Sequence, residues 1–358
     1  LPISIRRLSL PIAKEVGFLR GHGELDNEHI TDAARALSDY YKVDTVVINE
    51  QLHALDKFDA VIVARPVTAF TEKDKFIIDQ YIMNGGHVLW MLDEMAISMD
   101  SLSTASTTVA IPFGLNLEDQ LFRYGVRINP DLLMDMQAAP IPVVTGYTGN
   151  TPRQQLFPWP YFPLLNPSGS HPVVNNLNVI KSEFGSSLDT IEVPGIRKTI
   201  LLQSSNYSRI QMTPVRISLN MLQEEPDPKL YNKRQLAMAV LLEGSFTSNF
   251  KNRVPEAIRS APEIGFRETG KPNKMIVVSD GDVIANYVSK KGAIYPLGYD
   301  RFTQQSYGNR NFILNCVDYL CDDSGIIELR GKDLQLRLLD AAKIKQNPWI
   351  KWFNVLLP

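Results

Sequence analysis

The stretch that decides the fold is "DAVIVARPVTAFTEKDKFIIDQYIMNGGHVLWMLD", Asp59 to Asp93. It opens with a run rich in β-branched residues, which is typical of a buried strand. Thr71 then predicts a helix N-cap, with Glu72 and Asp74 placed at the positive end of the helix dipole. Gly85-Gly86 ends that helix, and "HVLWMLD" predicts a second strand. Strand, helix and strand in this order form the repeating unit of a parallel sheet.

The same alternation continues on both sides of this stretch. Before it, "EVGFLR" and "DTVVINE" predict strands, and between them apolar residues recur at helical spacing from Ile30 to Tyr41. Near the other end, "KMIVVSD" predicts a strand and "NRNFILNCVDYLC" a helix. We therefore predict an α/β protein with a Rossmann-like, mainly parallel sheet and helices on both of its faces.

The pattern loosens in the middle of the chain. The polar stretch "ISMDSLSTASTTVAIPFGLN" predicts a surface loop, and residues 139–167 form an inserted region rich in proline and aromatic residues. The runs "KTILLQS" and "MTPVRISLN" predict strands, and "KRQLAMAVLLEG" predicts a helix. The predicted organisation is an N-terminal α/β lobe (13–135), an inserted second lobe (136–272), a closing α/β pair (273–325) and a C-terminal stalk (326–358).

Composition excludes some classes of function. A formal net charge of −2 argues against a nucleic-acid binder, which needs a strongly basic surface. Cys316 and Cys321 lie in one predicted helix, so neither a disulfide framework nor a Cys-x-x-Cys site is indicated. No apolar run approaches the ~18 residues of a membrane span, so the sequence given is expected to be a soluble fragment.

The segment "GHGELD" lies between the first strand and its helix, where α/β proteins bind phosphates. Asp26 stands in place of the third glycine of a dinucleotide fingerprint, and the chain contains no Gly-Lys-Ser/Thr tripeptide. The favoured interpretation is a tight turn whose helix is capped by Asp26 or Asn27. The alternative is a ligand-binding loop made of Gly21, His22, Gly23 and Glu24. We predict no metal site, since His22, Glu24 and His29 lack zinc-ligand spacing.

A second candidate ligand site is "SDGDVIAN", which follows the last predicted strand. Asp280, Gly281 and Asp282 would lie at the carboxyl edge of the sheet, where ligands bind in α/β proteins. A divalent cation or a polar ligand is one interpretation. The other is an acidic turn in which Asp282 caps the following segment.

The segment "LFPWPYFP" is the candidate for binding a protein partner. Its prolines exclude a helix or a central strand, and Trp and Tyr are enriched at interface hot spots. The candidate contacts are Phe157, Trp159, Tyr161 and Phe162. The alternative is that Trp159 and Phe162 anchor the segment onto the protein's own core.

The end of the chain, residues 326–358, carries six Lys or Arg against three Asp or Glu and finishes in "WIKWFNVLLP". Tryptophan and lysine beside an apolar onset suit a membrane interface. An equally supported interpretation is a C-terminal strand and helix docked on the body.

No catalytic residues are predicted. The chain has no Gly-x-Ser-x-Gly elbow, and neither cysteine lies at a strand-to-helix turn. We expect no enzymatic activity and no cofactor.

Several segments together resemble the GldG family: "FLRGHGELD", the Asp59 to Asp93 stretch, "LFRYGVRINPDLL", "AVLLEGSFTSNF", "KMIVVSDGD" and "IIELRGKDLQLRLLD". This family comprises gliding-motility-associated, substrate-binding-like auxiliary components of ABC transporters in Bacteroidota. The resemblance implies a fold related to class I glutamine amidotransferases and to an intraflagellar-transport subunit. It also implies inner-membrane anchoring by flanking transmembrane helices, a periplasmic soluble domain, and a link between gliding and type IX secretion. The implied partners are the permease GldF and the ATPase GldA.

Three hypotheses of function follow, in decreasing order of support. The first is a non-enzymatic periplasmic domain that docks onto the permease, a motility component or another copy of itself. The second is a solute receptor that captures a small ligand at the carboxyl edge of the sheet. The third is a degenerate amidohydrolase.

Overall fold

A computed structural model describes residues 14–104, 107–149 and 151–322. Within them a ten-stranded sheet runs through the molecule in the order β11-β10-β13-β16-β17-β4-β3-β1-β2, and β9 pairs with β10. The strands are β1 Glu15–Arg20, β2 Lys42–Val47, β3 Ala60–Ala64, β4 His87–Met91, β5 Met95–Ala96, β6 Thr107–Pro112, β7 Val126–Ile128, β8 Asp131–Asp135, β9 Ala138–Thr148, β10 Thr151–Pro167, β11 Ile180–Lys181, β12 Leu188–Thr190, β13 Ile196–Gln203, β14 Ser208–Met212, β15 Val215–Ser218, β16 Ala237–Thr247, β17 Thr269–Val278, β18 Tyr299–Asp300 and β19 Gln305–Ser306.

The helices are fewer and shorter than the strands. They are α1 Asn27–Ser38, α2 Glu72–Met83, α3 Met99–Thr104, α4 Glu118–Tyr124, α5 Glu256–Arg259 and α6 Asn309–Leu320, with 3-10 turns at Leu219–Gln223, Pro228–Leu230 and Asp282–Ile284. The predicted caps of the first two long helices are confirmed. The Asp26 side chain accepts a hydrogen bond from the His29 amide, and the Thr71 hydroxyl accepts one from the Asp74 amide.

The prediction of a mainly parallel sheet is confirmed for one half of the central sheet, and the other half is antiparallel. Strands β2, β1, β3, β4 and β17 are parallel neighbours, as the alternation of strands and helices predicted. From β17 onward every pairing is antiparallel, through β16, β13, β10 and β11. Strands from the predicted inserted lobe, 136–272, therefore belong to the same sheet as the N-terminal strands.

One predicted helix is wrong. The run "MAVLL" lies in β16, between β13 and β17, where its side chains are buried on both faces of the sheet. A short continuous apolar run suits either a buried helix or a buried central strand, and periodicity does not distinguish the two. The predicted surface loop after Asp93 is also more structured than expected, since it contains α3 and β6.

Helices cover both faces of the sheet, as predicted. Ile276 and Val278 of β17 point into a core beneath α1 and α6, whereas Met275 and Val277 point into a second core beneath α2 and α4. This alternation is the expected consequence of the two-residue period of a strand.

A third core lies beside the sheet, around the hairpin of β9 and β10. It includes Trp159, Tyr161 and Phe162, together with residues from β6, β8 and β15. The prolines of this segment predicted neither a helix nor a central strand, but Pro158, Pro160 and Pro163 all lie in β10, whose last residues lie between β11 and β13. Residues 151–158 of β10, together with Pro163, pair with β9, and Leu164 to Pro167 pair with β11 and β13.

The predicted stalk, residues 326–358, lies outside the described residues, as do residues 323–325 of the predicted closing pair. Among the residues that are described, no helix is both long enough and apolar enough to cross a membrane.

Candidate functional site

The carboxyl ends of the parallel strands bring several polar side chains to one edge of the sheet. Gly21 to Glu24 follow β1, Arg65 follows β3, Asp93 follows β4, and Asp280 to Asp282 follow β17. This is the edge at which α/β proteins bind ligands. The predicted ligand-binding residues therefore lie on the expected edge, and the question is what their side chains contact.

At the first predicted site, His22 lies between two carboxylates. Its Nδ1 is 3.2 Å from Glu24 Oε1, and its Nε2 is 3.3 Å from Asp74 Oδ2. Its ring stacks on Phe70 with the centroids 3.7 Å apart. Burial disfavours the charged imidazolium, but hydrogen bonds and charges from Glu24 and Asp74 outweigh that cost and raise the pKa of His22.

The glycines of this corner allow a close approach of the loop that follows β3. The carbonyl of His22 accepts hydrogen bonds from the amides of Val67 (2.9 Å) and Thr68 (3.0 Å). Gly23 has a φ of +71°, and a Cβ there would lie 2.5 Å from Val67 Cγ2. The loop after β3 thus occupies the space beside Gly21 to Glu24 in which an α/β protein would bind a phosphate. The role of Gly21 to Glu24 in ligand binding stays a prediction, and the observed contacts favour the tight turn.

At the second predicted site, Arg65 pairs with two acidic residues. Its Nε lies 3.1 Å from Asp93 Oδ2 and its Nη1 lies 2.5 Å from Asp282 Oδ1. Asp93 also accepts a hydrogen bond of 2.6 Å from the amide of Gly281. Arg65 has a φ of +55°, a conformation that is uncommon for a non-glycine residue.

Asp280 is the most enclosed member of this group. Its carboxylate accepts hydrogen bonds from the Ser182 hydroxyl and from the amides of Glu183 (2.7 Å) and Asp282 (2.7 Å). Burial, followed by the negative charge of Asp93, raises the pKa of Asp280 to about 7. Burial and the same neighbour raise the pKa of Asp282 well above its usual value.

The three aspartates carry more negative charge than the single arginine neutralises. We call Asp93, Asp280, Asp282 and Arg65 the carboxylate cluster. One carboxylate oxygen from each aspartate lies within 4.8 Å of the others, a spacing that a cation could bridge. Arg65 already occupies a position between Asp93 and Asp282, so its guanidinium supplies the positive charge that a metal would bring. The raised pKa values of Asp280 and Asp282 favour protonation, which would lower the remaining negative charge.

The residues that complete both sites were not predicted from the sequence. Arg65 and Asp93 are the last letters of the predicted strands "DAVIVAR" and "HVLWMLD", so their place at the sheet edge was available from the sequence. Their pairing across the edge was not, because it depends on the order of the strands. Phe70, Asp74 and Ser182 carried no comparable signal.

The candidate partner-binding residues are mostly buried. Trp159, Tyr161 and Phe162 lie in the third core, where Trp159 is 0% exposed, and Phe157 is half-buried. The burial of Trp159, Tyr161 and Phe162 favours the alternative interpretation, in which the segment is anchored onto the protein's own core, and a role of these residues in partner binding stays a prediction. They anchor the segment, because their apolar area is removed from water by the body itself.

The exposed part of this hairpin lies further out. Residues 143–149 of β9 and its turn, and residues 152–156 of β10, are mostly exposed. We call these residues the distal ribbon. Its exposed large side chains are Val144, Tyr147 and Leu156.

Comparison with known proteins places the chain in a family. Residues 13–316 match the family model described as "ABC-type uncharacterized transport system", which covers most of the sequence. The chain belongs to this ABC transporter auxiliary family. Membership makes it an accessory component of a transport system that includes a permease and an ATPase, and it associates the chain with a membrane.

The fold of this ABC transporter auxiliary protein is similar to the solved structure titled "mmIFT52 N-terminal domain". The two share a TM-score of 0.50 and 13% identity, over 87% of this chain and 99% of that one. At this identity the similarity concerns the fold alone, and it agrees with the relation to an intraflagellar-transport subunit that the GldG resemblance implied. The chain matches no curated protein.

The thiols of this auxiliary protein lie in packed surroundings. Both thiols are buried: Cys316 lies within α6, and Cys321 is the C-cap of that helix. Burial raises the pKa of the Cys316 thiol well above its usual value, which disfavours the reactive thiolate.

The described residues also line two cavities. One, of about 20 Å³, has room for about one water molecule. It is lined by leucines together with Glu94, whose pKa burial and then Glu118 raise to about 7. The other, an open groove of about 320 Å³, lies between Arg209 and Arg216. Neither is lined by the residues from Gly21 to Glu24 or by the carboxylate cluster.

Proposed function

We propose that this protein is a non-enzymatic accessory domain of a membrane-anchored ABC transporter of the GldG type, and that it acts by docking onto the permease. The observation that supports this proposal is that side chains of the protein itself occupy the carboxyl edge of the sheet. Both positions at which an α/β protein would hold a ligand are occupied by paired side chains of the chain itself. A scaffold of this kind presents surface to other proteins.

The proposed partners, location and process depend on the resemblance to GldG. The Asp59 to Asp93 stretch is its longest and most specific segment, and membership of the ABC transporter auxiliary family is consistent with it. The proposed partners are a GldF-type permease and a GldA-type ATPase. The proposed location is the periplasmic side of the inner membrane, and the proposed process is gliding motility linked to type IX secretion in Bacteroidota.

The absence of catalysis is part of the proposal. The amidotransferases to which the fold is related by resemblance use a cysteine and a histidine. Here Cys316 and Cys321 lie within or at the end of a helix, and His22 is held by two carboxylates and an aromatic ring. Hydrolysis or amide transfer by these residues would need a nucleophile that the described sites do not provide.

The solute-receptor hypothesis has less support. A receptor needs a concave site lined by a few convergent polar groups. In the carboxylate cluster such groups converge on Arg65, and at the first site they converge on His22.

The test is co-purification of the full-length protein from native membranes. We expect the permease and the ATPase to be recovered with it, since docking is its proposed activity. Recovery of the protein without either chain, under detergent conditions that keep the permease and ATPase together, would contradict the proposal.

A ligand screen separates docking from solute capture. A solute that binds only the folded state raises its stability by RT ln(1 + [L]/Kd). We expect no saturable thermal shift with amino acids, sugars, nucleotides or divalent cations. A saturable shift that is lost in Asp280→Asn but kept in the exposed control Asp189→Asn would favour the receptor instead.

A further inference from the structure

The distal ribbon is a two-stranded structure with little support from the body. Among the described residues, β9 pairs with β10 and with no other strand. Beyond Pro142 most of its residues are exposed, including Tyr147 at 73%. An isolated two-stranded hairpin is marginally stable in water, so this ribbon would gain stability from a further strand.

The ribbon also lacks charge. From residue 143 to residue 156 the sequence is "VVTGYTGNTPRQQL", in which Arg153 is the only charged side chain, although 21% of the whole chain is charged. Depletion of charge together with exposed aromatic and aliphatic groups is characteristic of interface cores.

The two edges of the ribbon differ in how well they are protected. Strand edges are normally guarded against pairing by charges and prolines. The β10 edge has Pro152 and Arg153, and the base of β9 has Pro140 and Pro142. Between them, Val143 to Thr148 of β9 have neither a proline nor a charge.

The outer edge of the central sheet shows the contrast. Strand β2 is also an edge strand, and its side chains form ion pairs: Lys42 with Glu15 at 2.5 Å and Asp44 with Lys57 at 2.8 Å. These charges would have to be desolvated if another strand were added there. The β2 edge is thus protected by charges, whereas the β9 edge carries no charge and is interrupted by a one-residue bulge at Thr145, opposite Arg153 and Gln154.

We propose that Val143 to Thr148 of β9 pair with the same residues of a second copy of this chain, antiparallel and about a two-fold axis. An antiparallel partner satisfies the open backbone groups, and two-fold symmetry lets one segment serve as both halves of the interface. The occupant must be extended, rich in β-formers and uncharged, because nothing on this edge offers a charge for it to match. The ribbon itself meets these requirements. This pairing does not depend on the proposed docking to the permease.

The experiment measures the oligomeric state of the chain by sedimentation velocity over a wide range of protein concentration. We expect a reversible dimer, with amide exchange at Val143 to Thr148 slowing as concentration rises. Val144→Lys should weaken dimerisation by at least about tenfold, since each copy would bring a charge to the paired edge. The matched control is Val109→Lys, because Val109 lies on β6 and is similarly exposed (52% against 46% for Val144). Circular dichroism checks that both variants stay folded.

Two results would overturn the pairing. One is a chain that stays monomeric at every concentration, and the other is a dimer that Val144→Lys and Val109→Lys affect equally. If the monomeric chain lost permease co-purification on Val144→Lys, the ribbon would be a permease contact. In that case this inference would fail and the proposed function would stand. If dimerisation followed the prediction and no permease were recovered, the pairing of ribbons would stand and the proposed function would fail.

Discussion

The guanidinium of Arg65 lies 2.5 Å from the Asp282 carboxylate, so it joins the end of β3 to the turn after β17. It reaches Asp93 at the end of β4 as well, and a single cation thereby links three parallel strands at their carboxyl ends. This position makes Arg65 the residue on which the electrostatic balance of the edge depends.

Arg65→Ala should lower the free energy of unfolding by about 3 kcal/mol, because it leaves buried carboxylates without their cation. Urea unfolding followed by circular dichroism measures this change. Arg127→Ala is the control: its pair with Asp189 is about half exposed on both sides and should contribute less than about 1 kcal/mol. Equal losses in the two variants would show that Arg65 is an ordinary surface ion pair.

Stability should decrease as the pH rises through the acid titration of the cluster. The pKa of Asp280 is raised to about 7 in the folded protein, above about 3.9 for an exposed aspartate. The folded state therefore holds this proton more tightly than the unfolded state, and the resulting stabilisation is complete below about pH 4 and lost by about pH 7.

Urea unfolding across this pH range tests that sign. Asp280→Asn should flatten the decline relative to the wild type, whereas Asp189→Asn should leave it unchanged. A wild-type protein that becomes steadily more stable over the same interval, with no effect of Asp280→Asn, would be inconsistent with a protonated cluster.

His22→Ala should destabilise the fold by about 3 kcal/mol, since Glu24 and Asp74 would lose their shared partner and Phe70 its stacked ring. The raised pKa of His22 also gives a pH signature. Its contribution is complete below about pH 6.5 and is lost as the pH rises through the higher folded value. His53→Ala serves as the comparison, because His53 pairs with Asp56 at the exposed surface. Thermal unfolding at about pH 6 and at about pH 8.5 should show a smaller difference in His22→Ala than in the wild type.

Gly23→Ala should destabilise the protein through both backbone and contact. The positive φ costs about 1 kcal/mol, and the new Cβ would lie 2.5 Å from Val67 Cγ2. Gly149→Ala isolates the first effect, because Gly149 also has positive φ but no heavy atom within 4 Å of the place that its new methyl group would take. The extra destabilisation of Gly23→Ala over Gly149→Ala measures the steric contact with Val67. The double variant Gly23→Ala/Val67→Ala should regain part of that extra loss of stability. No regain would argue against close packing between Gly23 and Val67.

Trp159→Ala should cost about 3–5 kcal/mol, as expected for truncation of a fully buried aromatic residue. Tyr147→Ala, in the exposed ribbon, should change the free energy of unfolding by less than about 0.5 kcal/mol. Chemical denaturation compares the two. A small effect of Trp159→Ala would restore the interpretation of this residue as a surface contact.

The sequence predicted the parallel half of the fold well. In that half the apolar residues follow either a strand period or a helix period, and the helices begin at recognisable capping residues. Thr71 and Asp26 cap their helices as expected, and Gly85 lies at the end of α2. The antiparallel half was harder to predict. The run in β16 is apolar throughout because it is buried on both faces of the sheet. A run of this kind has no period that would distinguish a strand from a buried helix.

Of the site, the sequence located Asp280 and Asp282 but not their partners. Neighbouring strands are set by tertiary order, so the proximity of Arg65 and Asp93 to Asp282 follows from β3, β4 and β17 lying side by side. For the aromatic residues of "FPWPYFP", the sequence did not show which side chains are buried and which are exposed. Trp159 and Val144 belong to one hairpin, yet only the packing of the body decides which of them reaches solvent.

The pairing of Met275 with Val88 has a consequence for biosynthesis. When β4 leaves the ribosome, the strand that will lie beside it is still about 190 residues from being made. At usual elongation rates this leaves β4 without its neighbour for roughly 10 to 40 s. Until β17 is made, a nascent chain would present one edge of the apolar strand β4 without a partner, although the other edge can already pair with β3.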